Sequence, residues 1–260
     1  MTHTVLDQIV ELSRNLGRPE ADYAILGEGN TSARQDDQSF WVKASGARMC
    51  GISASGFVQV SFDRLLGLLE GPELDDQALK EALTAAKVDP RAPGRPSVET
   101  LLHALFLQLE GVSFVGHTHP TVVNALTCSQ AFPQALRGRL FPDEIVICGV
   151  APLLVPYTDP GLPLARRVAG LLKEYLDQHG ERPRTAWIQN HGLVALGRTP
   201  QQVEDVTAMA VKTARILLGT YAVGGPRFLS REEGDRIRTR PDELYRQQLL
   251  GQEKKPLDSP

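Results

Sequence analysis

At 260 residues, with 42% apolar and 23% charged side chains, the chain has the size and balance of a globular protein able to bury a sizeable core. Its formal net charge of -3 gives no general attraction to phosphate backbones or anionic lipid, which argues against nucleic acid and membrane surfaces as partners. No run approaches the roughly 20 consecutive apolar residues of a membrane span, and the start of the chain lacks the apolar core and cleavage site of a signal peptide.

Val5, Ile9, Leu12 and Leu16 recur at helical spacing before Gly17 and predict an amphipathic opening helix. Gly27-Glu28-Gly29-Asn30-Thr31-Ser32 follows. Its two glycines let the backbone approach a ligand closely, and Asn30, Thr31 and Ser32 add short polar groups. It is not a dinucleotide fingerprint and no Walker lysine follows, so by itself it is as readily a plain turn as a site. Asp36-Asp37-Gln38 reads as a hairpin turn and Phe40-Trp41-Val42 as the returning strand, which delivers Lys43-Ala44-Ser45-Gly46 to the same end of the sheet. Two glycine- and hydroxyl-bearing loops at one edge allow an anion-binding concavity or simply two turns.

Phe57-Val58-Gln59-Val60 predicts a strand, residues 62–70 and 75–87 predict helices, and 89–96 a proline-rich surface loop. Ser97, read as an N-cap, opens a strong helix that ends at Gly111. Glu99 and His103 lie four apart on it and share a side. A first-turn glutamate ordinarily serves the helix dipole, and a lone histidine is ordinarily packed or hydrogen-bonded. Local geometry carries Glu99's end of this helix away from the far end of the next strand.

That next strand is Ser113-Phe114-Val115-Gly116-His117-Thr118-His119-Pro120, stopped by its proline. Side chains alternate along a strand, so His117 and His119 point the same way, a good arrangement for holding a borderline-soft divalent metal. A third candidate ligand stands in Gln189-Asn190-His191-Gly192, between the apolar runs Thr185-Ala186-Trp187-Ile188 and Leu193-Val194-Ala195-Leu196. The pattern predicts a tight hairpin with His191 at its tip. Three imidazoles leave one tetrahedral position open, as catalytic zinc requires.

Pro120 sits where the first turn of a further helix begins, and 145–148 and 153–155 read as buried strands separated by Gly149. Residues 162–179 predict a helix with Arg166, Arg167 and Lys173 on its exposed side, and Thr199 caps a long helix over 200–221. A charged tail from about residue 230 carries a helix around 241–250, and 254–260 is expected to be disordered. No repeat or linker divides the chain, so a single domain over 1–260 is expected. Cys50, Cys128 and Cys148 are odd in number and widely spaced, which fits buried thiols in a reducing cytoplasm.

Taken in order, Gly27-Glu28-Gly29-Asn30-Thr31-Ser32, Lys43-Ala44-Ser45-Gly46, Pro96-Ser97-Val98-Glu99, Gly116-His117-Thr118-His119-Pro120 and Asn190-His191-Gly192 resemble the class II aldolase/adducin family. The resemblance runs from about residue 6 to 221, and its pattern is nearest to fuculose- and rhamnulose-phosphate aldolase-like domains. It implies a three-layer α/β/α fold with a largely antiparallel central sheet, and a homotetramer with active sites at the interfaces. It also implies Zn2+, or another divalent transition metal, on His117, His119 and His191, with Glu99 as a resting ligand that becomes the acid/base. Gly29, Asn30, Ser45, Gly46 and Ser97 match positions that hold the substrate phosphate.

The activity so implied is metal-dependent carbon–carbon cleavage of a small hydroxy-carbonyl compound, such as a sugar phosphate, through an enediolate. Two departures qualify the match. Val98 stands where phosphate-binding aldolases have a second serine, and Phe141-Pro142-Asp143-Glu144 holds no counterpart of the tyrosine that protonates the aldehyde oxygen. Alternatives are a decarboxylase or epimerase of the same family, although its 4-epimerases carry Asp at the position of Glu99. A non-catalytic adducin-like interaction module is the reading from another class.

Overall fold

Residues 3–243 and 245 are described by a computed structural model. Helix α1 (Val5–Leu16) is set by a capping box: the Thr4 hydroxyl accepts from Asp7 N–H while the Asp7 carboxylate accepts from Thr4 N–H. Ile9, Leu12 and Leu16 then fall on one buried face. Strands β1 (Asn30–Arg34), β2 (Ser39–Lys43) and β3 (Phe57–Ser61) form an antiparallel meander. Helices α2 (Phe62–Glu70), α3 (Asp76–Ala85) and α4 (Thr100–Leu107) follow, then strand β4 (Phe114–Thr118) and helices α5 (Thr121–Thr127) and α6 (Pro142–Cys148). Strand β5 (Leu153–Val155), helix α7 (Leu162–His179), the hairpin β6 (Thr185–Ile188) and β7 (Gly192–Gly197), α8 (Pro200–Tyr221) and α9 (Arg231–Thr239) complete the order.

The seven strands form one sheet in the order β3-β2-β1-β4-β7-β6-β5. It is mixed, which corrects the expectation of a largely antiparallel sheet: β5 pairs with β6 in parallel, while the remaining pairings are antiparallel. The parallel pair follows from the α7 crossover, since parallel neighbours cannot be joined by a tight turn. Strand alternation sorts the core into two layers. Along β7, Val194 and Leu196 join the cluster under α2, α3, α4 and α7, whereas Leu193 and Ala195 join the cluster under α1, α5, α6 and α8. The sheet is thus covered on both faces. No helix among the described residues is long and apolar enough to cross a membrane.

The register brings the functional loops to one end of the central strands. Asn30 at the start of β1 pairs with His117 near the end of β4, and His117 pairs with Val194 on β7. Lys43 ends β2 at this same end, and the β6–β7 turn closes there with Ile188 opposite Gly192.

Several expectations need correction. The run 145–148, read as a strand, is the body of α6. Pro142 opens that helix, and the buried Glu144 carboxylate accepts from Leu140 N–H (2.8 Å) and Arg139 Nη1 (2.8 Å). Four β-branched or small apolar residues suit either state, and the start signal lay upstream of them. Ser97 does not N-cap α4. Glu99 occupies that position in helical conformation, and the helix runs only to Leu107 rather than to Gly111. Pro120 precedes α5 instead of lying in its first turn. Arg166 is half-buried, not exposed, and donates to Leu69 O (3.0 Å) and Gly71 O (2.5 Å), satisfying the carbonyls at the end of α2. Of the cysteines, Cys148 is buried, its thiol pushed up to about 12 by burial, but Cys50 and Cys128 are exposed. In the charged tail, α9 was missed. The helix expected around 241–250 and the tail over 254–260 fall largely outside the described residues.

Candidate metal centre

His117 is the fixed point of the cluster. It is fully buried in β4, and its Nδ1 lies 3.0 Å from Leu193 O on the neighbouring strand. A carbonyl only accepts, so Nδ1 carries the proton and Nε2 is left with its lone pair free for a metal. His119 follows two residues later on the same side of the chain, with its Nε2 2.9 Å from His117 Nε2. His191 arrives from the β6–β7 turn, its Nε2 3.2 Å from His117 Nε2. Asn190 takes a left-handed conformation (φ 54°) in that turn, as asparagine does readily.

Two glycines let these pieces approach. A Cβ at Gly192 would lie 2.6 Å from His119 Cδ2 and 2.6 Å from Thr118 O. A Cβ at Gly29, whose φ is +64°, would lie 2.6 Å from His117 O. Both positions therefore exclude a side chain on packing grounds, and Gly29 on backbone grounds as well.

Ligand nitrogens held about 2.0–2.1 Å from a tetrahedral zinc stand about 3.3 Å apart. The separations of 2.9 and 3.2 Å, and the convergence of all three ligand atoms within 4.8 Å, fit such a group. A carboxylate oxygen completes the set: Glu99 Oε1 lies 2.9 Å from His191 Nε2 and 3.5 Å from His117 Nε2. Three nitrogens and one oxygen suit a borderline divalent transition metal better than calcium or magnesium.

Burial works against ionising Glu99, but His117 and His191 outweigh it and hold the carboxyl well below the ordinary glutamate range. His117 is affected in the reverse sense: burial disfavours its cation, and Glu99 overcomes this and raises its pKa. Burial, with help from the neighbouring histidines, lowers His119 to about 3, so that ring is neutral and ready to ligate at neutral pH.

Beside the cluster lies a cavity of about 180 Å³ lined by Gly29, Asn30, Ser45, Gly46 and Ser97, the five residues expected to hold a phosphate, together with Glu99 and His119. Ser97 Oγ is buried with no hydrogen-bond partner among the described residues, which leaves it available to a ligand. Lys43 also lines the cavity. It is 3% exposed, donates to Ala47 O, and is lowered by burial against the opposing pull of Glu99. Reading by residue type passed over this cation, although it lay within Lys43-Ala44-Ser45-Gly46. Its signal was its place at the end of a strand delivered to this end of the sheet. Val98, where a second hydroxyl was missing, is 39% exposed.

His103 is not among the converging nitrogens. It is buried behind Asn30, in hydrogen-bonding contact with Asn30 Oδ1 and with Ser32 Oγ (2.6 Å). Burial, then the nearby His117, lowers it to about 3.

Comparison with known proteins follows this geometry. The family model described as "Class II Aldolase and Adducin N-terminal domain" matches residues 7–218. Among solved structures, the N-terminal class II aldolase domain of a conserved protein from Thermoplasma acidophilum is 27% identical, over 84% of this chain and 95% of that one, with a TM-score of 0.65. YgbL from Klebsiella pneumoniae, a candidate aldolase/epimerase/decarboxylase, is 22% identical over 91% of this chain and 100% of its own, with a TM-score of 0.69. An L-fuculose 1-phosphate aldolase from Glaciozyma antarctica PI12 is 18% identical over 92% of this chain and 81% of its own, with a TM-score of 0.62. Comparison with curated proteins returned no match.

Proposed function

The chain belongs to the class II aldolase and adducin N-terminal domain family, and from that premise we propose that it is a metal-dependent lyase cleaving a carbon–carbon bond in a small hydroxy-carbonyl compound, such as a sugar phosphate. The observation that carries this reading is the convergence of three imidazole nitrogens and one carboxylate oxygen beside a cavity with a buried lysine and a serine hydroxyl that has no partner among the described residues.

His117, His119 and His191 would hold the metal, with Zn2+ the cation that best suits this donor set. When bound, the cation stabilises the negative charge that develops on the substrate's oxygens as the bond breaks. Glu99 moves the proton: its Oε1 faces the histidine nitrogens from the start of α4. Lys43, Ser45, Ser97 and the Gly29 and Gly46 turns bind the anionic end of the substrate and so fix the distance of the reacting carbons from Glu99. We further take the protein to act as a homotetramer in the cytoplasm, with neighbouring subunits completing the sites.

Metal analysis of the purified protein, followed by a screen of phosphorylated and unphosphorylated aldols, tests the reading. The expected result is about one transition metal per chain and cleavage of a phosphorylated aldol. His191→Ala should lower metal content and turnover together, and full metal occupancy in that variant would sink the ligand assignment. A second reading is supported by Val98, which offers an anion no hydroxyl: a decarboxylase of a small acid, using the same metal and Glu99 without a phosphate. Release of carbon dioxide, in place of aldehyde, distinguishes it. An adducin-like interaction module has no need of a desolvated cluster of histidines beside a carboxylate, which costs stability unless something binds there.

A further inference from the structure

Behind the candidate metal ligands runs a line of three buried polar side chains whose hydrogen bonds have one consistent direction. Asn30 Nδ2 donates to Glu99 Oε2 at 2.5 Å. An ionised carboxylate only accepts, so the nitrogen of this amide must face Glu99 and its oxygen the other way. That oxygen meets His103 Nε2, which must therefore carry a proton. Ser32 Oγ, 2.6 Å from Nδ1 on the other side of the ring, completes the line by donating its hydroxyl to the bare nitrogen. Asn30, Ser32 and His103 are 5%, 0% and 1% exposed, so water does not compete for these groups.

We infer that His103 is a positioning residue that fixes the Asn30 amide in the orientation that holds Glu99 toward the metal ligands. Its Nε2–H can donate to the oxygen of the Asn30 amide but not to its NH2 group. A flipped Asn30 would set N–H against N–H at His103 and oxygen against oxygen at Glu99. With the amide held, Oε2 of Glu99 is tethered and Oε1 is left pointing at His191 and His117. The placement follows from the fold: Asn30 and Ser32 project from the same face of β1, and α4, which carries His103, packs on that face with Glu99 at its start.

The inference rests on the reading that Glu99 faces a metal held by three histidines. Its test uses Co2+ alone, whose visible absorption reports the ligands around it and needs no substrate. In the wild-type protein one Co2+ binds per chain, and Glu99→Gln alters the visible spectrum. His103→Phe, which keeps a ring in the space but has no polar atom, should keep the Co2+ stoichiometry and move the spectrum most of the way to that of Glu99→Gln. His103→Gln, whose amide N–H can reach Asn30 Oδ1, should return it toward wild type. Ser32→Ala leaves the ring in place but removes the hydroxyl that donates to its Nδ1 and helps seat it against Asn30, and should give a smaller shift in the same direction. This last variant decides the matter if His103→Phe does not fold. Wild-type spectra in both His103→Phe and Ser32→Ala, with Glu99→Gln altered, would overturn the role of His103 alone. A wild-type protein that binds no Co2+, or a Glu99→Gln spectrum identical to wild type, would overturn the reading beneath it.

Discussion

At the scale of the residue, Glu99 and His103 differ by one turn of helix and by what faces them. Glu99 is turned to the histidine nitrogens, while His103 is enclosed by Asn30 and Ser32. If His117, His119 and His191 suffice to hold a metal, Glu99→Gln should retain near wild-type metal content. Loss of a general acid–base group should lower kcat by about 10²–10⁴-fold, measured on the same preparation. A glutamate serving only the helix dipole would cost at most about 1 kcal/mol of stability and leave the rate alone. His103 gives a separate readout. Its pKa is lowered to about 3 in the folded protein, so between that value and the ordinary 6.5 the unfolded chain binds the extra proton. Its contribution to stability is therefore whole above pH 6.5 and is lost as pH falls toward 3. In urea titrations of metal-free protein, His103→Gln should gain on wild type by up to about 2 kcal/mol between pH 6.5 and pH 5. Parallel curves would show that His103 is not buried neutral.

At the scale of the element, the site depends on strands that end together and on one tight hairpin, with three residues between the paired Ile188 and Gly192. The β6–β7 turn puts His191 against His117 only because residue 192 has no side chain, a Cβ there being 2.6 Å from both His119 Cδ2 and Thr118 O. Gly192→Ala should therefore push the hairpin off β4, costing about 1–3 kcal/mol of stability. Metal content should drop with it, although no ligand has been removed. Thermal unfolding and metal analysis on one preparation check this, and an unshifted melting point would mean the hairpin is slack. Elsewhere an element was misread for want of its neighbours. The run Ile145-Val146-Ile147-Cys148 is buried in either state, and what makes it helical is Pro142 together with Glu144, whose carboxylate is held by Arg139 and Leu140 N–H.

At the scale of the whole molecule, the candidate site sits at one end of the central strands of the sheet, and Leu26, Val98 and Tyr157 are exposed. If subunits meet around the site, the protein should run as a homotetramer at micromolar concentration in light scattering. A fully active monomer would contradict that assembly. The cavity volume of about 180 Å³ is the size of the anionic end of a small substrate, and Glu99 and His119 line it.

Much of this was legible in the chain itself, because local patterns carry their own physics. Period-two alternation aligned His117 with His119, Gly192 after His191 marked the hairpin, and capping residues such as Thr199 marked helix starts. The ligand types and the glycine loops are likewise properties of short segments. What only the tertiary structure decided is which segments meet. The spacing of Glu99 and His103 on one helix could not say that the first reaches the histidines and the second stops at Asn30. That outcome depends on α4 packing across β1, which is far from it in sequence and which the sheet register sets beside β4. Nor could composition distinguish Lys43 as a buried cation at the cavity from a surface lysine. Burial and charge pairing are sums over neighbours brought together by the sheet register, and no single segment contains them.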